Sequence, residues 1–165
     1  MKKGVVWLAL VGLMLTLVAV PCLAADKATP SQIKEKAQAA AKMLSEKGPA
    51  GLAEISDPNS RWAQEPYVFV HDLKGNMMAH PKASLVGKNF LALKDVKGNM
   101  FCAEFQAIAT GQPGHGWVEY WWPKLGEKSP SQKVTYIIRV PGQDLLVGVG
   151  EYDISKDQAL KEAGD

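Results

Sequence analysis

One predicted hairpin carries most of the side chains that could hold a polar ligand. In YVFVHDLKGNMMAHP, residues 67–81, polar and apolar positions alternate around a Lys-Gly-Asn corner, which is typical of two strands joined by a tight turn. If Lys74 and Gly75 form the loop, partners across the two strands share a face. One face then carries Tyr67, Phe69, His71, Met78 and His80, and the other carries Val68, Val70, Met77 and Ala79. Rings with polar tips on one face favour a small pocket that binds by hydrogen bonds.

Three later stretches, WVEYWWP, KVTYIIRV and LLVGVGEYD, are predicted strands that complete the candidate site. Tyr120 and Trp122 share one side of the first, and Trp117 lies on the other. The phase of KVTYIIRV stays open, because Tyr136 and Arg139 cannot point to the same side of a regular strand. His80, Tyr120 and Tyr136 would donate hydrogen bonds to the ligand. Phe69 and Trp122 would form apolar walls, and Arg139 would pair with an anion. The predicted ligand-binding residues are Phe69, His80, Tyr120, Trp122, Tyr136 and Arg139.

The sequence contains none of the common catalytic motifs. G-x-S-x-G, H-E-x-x-H and a phosphate-binding glycine loop are all missing. Gly148-Val149-Gly150 lies inside a predicted strand, which favours close packing against a bulky group over a nucleotide loop. Cys102 lies in an apolar helical run, so we expect a buried, inert thiol.

The three histidines, His71, His80 and His115, could in principle bind a metal. No cysteine or carboxylate cluster joins them in the sequence, so we expect neither a metal nor a cofactor. An enzyme that uses His71 or His80 with a neighbouring aspartate is one hypothesis. It lacks a nucleophile that the sequence can name, so we expect no catalysis.

The strands are accompanied by helices, so the sequence predicts an α+β fold. Thr29 as cap, Pro30 at the first helical position and Gly48 as exit predict a long helix over residues 30–47. A second helix is predicted over residues 99–110. Adjacent strands joined by short turns indicate an antiparallel sheet.

The N-terminus has the pattern of a secretory signal. A basic start and an almost wholly apolar run over residues 5–20 are followed by small residues. We therefore predict that residues 1–24 are removed and that residues 25–165 form one domain with its core at about 29–153. Two alternatives stay open. One is an uncleaved membrane anchor, for which the apolar run is short, and the other is a lipoprotein acylated on Cys22.

The charge balance gives no sign of a nucleic-acid partner. The chain has 19 basic and 17 acidic residues, and removal of Lys2 and Lys3 leaves 17 of each. No basic face is predicted, so we expect no nucleic acid to bind. The signal segment instead predicts a periplasmic or secreted protein.

An ordered set of motifs resembles single Cache domains of the second type (sCache_2, Cache_2). The resemblance covers about residues 29–153, and its motifs together are more specific than any one alone. They are YVFVHDLKGNMMAHPKASLVGKNFLALKDVKGNMF, GHGWVEYWWP and TYIIRVPGQDLLVGVGEYD.

The resemblance implies a PAS-like, five-stranded antiparallel sheet with a long N-terminal helix and a helical loop between strands 2 and 3. The ligand pocket would lie between the sheet and that loop. It implies a sensor-type domain in signal transduction that binds a small metabolite outside the cytoplasm, commonly a short carboxylate.

This chain carries no second hydrophobic stretch after Asp153, so we expect a free-standing binder that presents its ligand to a membrane receptor or transporter. The N-terminal helix is a candidate seam for a homodimer. The alternative is an interaction or accessory module of the same fold that has lost the pocket. It would offer a partner the surface around Met77, Met78, Trp121 and residues 124–132.

Overall fold

Five antiparallel strands form one sheet in the order β2-β1-β5-β4-β3. A computed structural model describes residues 27–164, and the predicted signal segment lies outside these residues. The strands are β1 Val68–Asp72, β2 Met77–Ala79, β3 His115–Pro123, β4 Pro130–Arg139 and β5 Leu145–Tyr152. Within residues 27–164, no helix is both long and apolar enough to cross a bilayer.

Within the described part of the chain, four α-helices accompany the sheet. They are α1 Pro30–Lys47, α2 Pro49–Ser56, α3 Phe101–Thr110 and α4 Lys156–Ala163. The Thr29 side chain accepts from the backbone N–H of Gln32, and the Gln32 side chain accepts from the backbone N–H of Thr29, so a capping box begins α1. Gly48, with φ of +56°, ends it. The predicted α+β fold is confirmed.

The two faces of the sheet pack against different layers. Alternate residues of β1 and β5, such as Val68 and Val149, lie under α1 in one core. The intervening residues, such as Phe69 and Leu146, belong to a second core under α3. The sheet therefore separates an aliphatic, structural core from a second, largely aromatic one.

A β-bulge shifts the register of the first hairpin. Val70 pairs with Ala79 as predicted, but His71 pairs with Met77, so Met78 is the extra residue. Met78 is 36% exposed, whereas Met77 is buried in the second core. The predicted faces of Met77 and Met78 are therefore wrong, because one inserted residue exchanges the two sides.

The C-terminal helix α4 packs on the sheet and α1. The indole Nε1 of Trp117 donates to the carbonyl of Gly164 at 2.7 Å, and Lys34 donates to the carbonyl of Ala163 at 3.1 Å. Ala159 is fully buried. The packed region thus extends past Asp153.

Gly150 allows β4 and β5 to approach closely. A Cβ at Gly150 would lie 2.5 Å from the carbonyl oxygen of Val134 and 2.9 Å from the Cα of Thr135. We expect Gly150→Ala to lower the free energy of unfolding by about 1–3 kcal/mol, because backbone atoms must shift. Urea unfolding checks this.

The matched control is Gly116→Ala in β3. There the nearest atom to an added Cβ is Cδ1 of Ile108 at 3.6 Å, which is ordinary contact. This change should leave stability the same or raise it by up to about 1 kcal/mol. Equal effects of the two substitutions would contradict the packing argument.

Candidate functional site

A small cavity lies within the second core, between the sheet and α3. Its volume is about 20 Å³, which is room for roughly one water molecule. Four of the predicted ligand-binding residues line it. The full lining is Tyr67, Phe69, His71, Met77, His80, Phe90, Phe101, Phe105, Tyr120 and Trp122.

Aromatic contacts close the cavity on the side away from the sheet. Phe101 of α3 stacks on Tyr120 with ring centres 4.7 Å apart, and Phe90 of the preceding loop meets Trp122 edge-on at 6.0 Å. On the sheet side the ring of Phe69 lies directly over Gly148, where a Cβ would be 2.1 Å from the ring. The predicted close packing of this glycine against a bulky group is confirmed.

His80 follows β2 and its ring is held in one tautomer. The backbone N–H of Lys82 donates to Nδ1 of His80 at 2.8 Å, so the proton of the neutral ring is on Nε2. The side chain is 2% exposed and its ring meets the ring of Tyr67 edge-on at 4.9 Å. Burial, with help from the positive charge of Lys133, lowers the pKa of His80 to about 3. A neutral imidazole with a hydrogen-bond donor therefore belongs to the cavity wall.

His71 contributes a second neutral imidazole. Its Nδ1 lies 3.3 Å from Sγ of Cys102, and burial lowers its pKa to about 4. Cys102 is buried as predicted, and burial raises the pKa of its thiol to about 11. In the part of the chain that the structure describes, no three His, Cys, Asp or Glu side chains group to hold a metal. At neutral pH, His71 and Cys102 therefore form a buried, uncharged pair.

The tyrosine hydroxyls differ in their capacity to donate. Tyr120 accepts from the hydroxyl of Thr135 at 3.2 Å, which leaves the phenolic proton of Tyr120 available. Tyr152 donates to the carbonyl of Pro123 at 2.9 Å, so in its 3.3 Å contact with Tyr67 it is the acceptor. Tyr120 is therefore a donor for a guest in the cavity, whereas the proton of Tyr67 is already engaged.

Lys133 of β4 is a buried amine beside the cavity that the sequence analysis did not single out. Its side chain is 0% exposed, and its Nζ has no hydrogen-bond partner among residues 27–164. Nζ lies 3.9 Å from the ring centre of Tyr67 and 4.6 Å from that of Tyr152. Burial lowers the pKa of this amine to about 7.

The face on which Lys133 lies follows from the β3–β4 register. Lys133 pairs with Tyr120 on one side and with Tyr152 on the other, so all three point to the second core. The sequence indicates this site only by a lysine on the strand face opposite to Val134 and Tyr136. Alternation alone does not show which of the two faces points to the second core.

Tyr136 lies on the opposite face, which corrects its assignment to the ligand side. It pairs with Trp117 and Val149, and these residues belong to the core under α1. Its hydroxyl lies 2.9 Å from Nδ1 of His115. The register that places Lys133 on the face of the second core places Tyr136 on the other side of the strand.

Arg139 does not line the cavity. It lies at the last position of β4, and its guanidinium pairs with the exposed carboxylate of Asp144 at 2.9 Å. Arg139 therefore does not supply the expected cation, whereas the buried amine of Lys133 contacts one cavity-lining ring, that of Tyr67.

The buried imidazoles predict a loss of stability in acid. Histidines whose pKa is lowered in the folded state stabilise the protein fully above the unfolded value near 6.5, and lose this contribution as pH falls toward their folded values. With pKa values of about 4 for His71 and about 3 for His80, we expect a loss of about 2 kcal/mol for each between pH 7.5 and pH 5.

Urea unfolding at the two pH values checks this prediction. The variant His80→Gln should show a loss smaller by about 2 kcal/mol than that of the wild type. If the two proteins lose the same stability between pH 7.5 and pH 5, His80 is not the buried neutral imidazole described above.

Comparison with known proteins identifies relatives among sensor proteins. The sensor histidine kinase MctS of Rhizobium johnstonii is 32% identical over 106 residues, 62% of this chain and 23% of that protein. The methyl-accepting chemotaxis protein McpP of Pseudomonas putida is 31% identical over 93 residues, 56% of this chain and 17% of that protein. The matched part is thus less than a quarter of either curated relative.

Solved structures share the architecture. One, described as the structural basis for carboxylic acid recognition by a Cache chemosensory domain, has a TM-score of 0.64 and 26% identity, and the match covers 74% of this chain and 91% of that one. A methyl-accepting chemotaxis protein from Vibrio parahaemolyticus has a TM-score of 0.59 and 25% identity, covering 72% and 82%.

In sensor kinases and chemoreceptors, Cache domains are extracytoplasmic sensor modules and typically non-catalytic. The sequence model of the Cache domain (dCache_2) matches residues 50–162, more than half of this chain. The resemblance inferred from the sequence motifs is confirmed: this chain belongs to the Cache domain family.

Proposed function

We propose that this chain binds a short carboxylate in the aromatic cavity of its second core, as a sensor module without catalysis. The observation that carries this proposal is the amine of Lys133, which is fully buried beside the cavity and has no hydrogen-bond partner in the described residues. A buried cation without a partner is costly by several kcal/mol. An anionic guest would supply the missing partner.

The groups around the amine suit a single carboxylate. The Nε2–H of His80 and the phenolic O–H of Tyr120 are donors, and the amine supplies the charge. Charge-assisted hydrogen bonds of this kind are about twice as strong as neutral ones. Because one buried cation balances one negative charge, the site favours a monocarboxylate over a dicarboxylate. The rings of Phe69 and Phe105 would cover a short aliphatic chain.

Binding would require the wall formed by α3 and the loop before it to move outward. The cavity of about 20 Å³ holds one water molecule, and a carboxylate is larger. Phe90 and Phe101 close the cavity through ring contacts rather than hydrogen bonds, so these rings can separate without leaving buried polar groups unpaired. Ligand binding would thus change the position of α3 relative to the sheet.

The small cavity also favours the alternative, an accessory module of the same fold that takes no ligand. Of the partner surface predicted from the sequence, Met77 is buried, whereas Met78 and Leu125 are exposed. This surface would be extended by exposed apolar residues before α3, which are Val86, Leu91, Leu93, Val96 and Met100. In this alternative the amine of Lys133 is held by the two tyrosine rings alone. The binding experiment below separates the two functions.

We further propose that residues 1–24 are a cleaved signal, so that the domain formed by residues 25–165 acts outside the cytoplasm and presents its ligand to a membrane receptor or transporter. The extracytoplasmic position of Cache domains in sensor kinases and chemoreceptors supports this. A homodimer through α1 stays a prediction. The outward residues of α1 are polar, including Gln32, Glu35 and Gln38.

Calorimetric titration of residues 25–165 at pH 6.5 tests the carboxylate site. Propionate should bind, and at 100 times its dissociation constant it should stabilise the protein by about 2.7 kcal/mol. Propionamide, which has the same shape without the charge, should not bind measurably. Succinate should bind at least about tenfold more weakly, because its second carboxylate would be buried without a partner.

Two cation variants serve as a matched pair. Lys133→Met should abolish propionate binding while the protein stays folded, because Met fills the space of the amine chain without a charge. Arg139→Gln should leave binding unchanged, since this guanidinium pairs with Asp144 at the surface. Failure of the wild type to bind any of a panel of short carboxylates would favour the alternative without a ligand.

A further inference from the structure

The surroundings of the Lys133 amine do not balance a positive charge in the empty site. Two aromatic faces, those of Tyr67 and Tyr152, lie against Nζ at 3.9 and 4.6 Å from the ring centres. Each ring attracts a cation held over its face, but the two contacts offer no hydrogen-bond acceptor in place of the water that a buried ammonium loses. Burial of an ammonium costs several kcal/mol. The aromatic contacts alone therefore do not compensate for the loss of water.

Few charged groups face this amine. From the elements packed around it, the titratable side chains are Tyr67, Tyr120, Tyr152, His80, Glu65 and Glu151. Burial raises the pKa of all three tyrosines and lowers that of His80, so these four are neutral near pH 7. The carboxylates of Glu65 and Glu151 favour the charged amine, but their effect is smaller than that of burial, and the pKa of Lys133 falls to about 7.

We propose that a carboxylate binds here together with one proton, which the amine of Lys133 takes up from solvent as the guest enters. This rests on the carboxylate site proposed above. The empty form holds a neutral amine among aromatic rings, and the occupied form holds an ammonium paired with the guest. The balance is one carboxylate, one neutral amine and one solvent proton giving one neutral ion pair, with no bond formed or broken besides N–H.

A consequence for function follows from this stoichiometry. At pH values above 7, occupancy depends on the product of the carboxylate and proton concentrations. The domain would then respond more strongly to an acid in acidic surroundings than to the same amount of its salt in alkaline surroundings. The pH dependence comes from the protein, because a short carboxylic acid is already ionised throughout this range.

Calorimetry with propionate, in two buffers of different ionisation heat chosen to buffer at each pH, tests the proton uptake. Because these buffers release protons with different heats, the difference between the measured enthalpies gives the number of protons bound. We expect about one proton per propionate at pH 9 and almost none at pH 6. The apparent dissociation constant should rise about 50-fold between pH 7 and pH 9, starting from an amine with a pKa of about 7.

The outcomes separate this inference from the function on which it rests. If propionate binds with the same affinity and no proton uptake at every pH, the carboxylate site stands and the proton uptake is wrong. If propionate does not bind at any pH, both are wrong. Lys133→Arg keeps a cation that never deprotonates, so binding by a folded variant should be independent of pH.

If Lys133→Arg does not fold, the pKa of the Lys133 amine in the protein without ligand tests the inference. In NMR titration of the lysine side chains of the empty protein, one resonance should titrate near pH 7 and be absent from the spectrum of Lys133→Met. If the Lys133 resonance titrates above pH 9, the amine is already charged in the empty site and the inference fails.

Discussion

The proposed site depends on a buried amine that has no hydrogen-bond partner among residues 27–164. The side chain of Lys133 is buried, and its Nζ lies against the rings of Tyr67 and Tyr152. A hydrocarbon side chain would pack against these rings without the cost of burying an amine. Replacement of a buried charge by a hydrophobic residue is often neutral or stabilising. In the proposed function, a lysine at this position serves ligand binding rather than stability. His80 and Tyr120, whose side chains carry hydrogen-bond donors, line the neighbouring cavity.

The sheet allows such a site because its two faces serve different purposes. The face under α1 packs valine, alanine, tryptophan and tyrosine side chains into the first core, which makes the domain stable. The opposite face can then hold imidazoles, phenols and an amine without the loss of the whole fold. Gly148 contributes to this arrangement, because the ring of Phe69 lies where a larger residue would place its side chain. The proposed binding site and the first core therefore lie on opposite faces of one sheet.

Much of the fold could be predicted from the sequence, whereas the site could be predicted only in part. Capping residues and alternation located the helices and strands, and Phe69, His80, Tyr120 and Trp122 line the cavity as expected. Two features could not be predicted, because each depends on the pairing register between two strands rather than on the pattern of one strand. The bulge at Met78 exchanged the faces of two methionines. The β3–β4 pairing places Lys133, not Tyr136, on the face of the sheet that carries the second core. Neither register leaves a local mark in the sequence.

A crystal structure of residues 25–165 grown with propionate tests the central claim most directly. The account predicts a carboxylate within hydrogen-bond distance of Nζ of Lys133, with a further contact to Nε2 of His80 or the hydroxyl of Tyr120. It also predicts that Phe101 moves away from the sheet to admit the aliphatic chain. A cavity that stays closed around an amine packed only on Tyr67 and Tyr152, with propionate bound elsewhere or not at all, would contradict it.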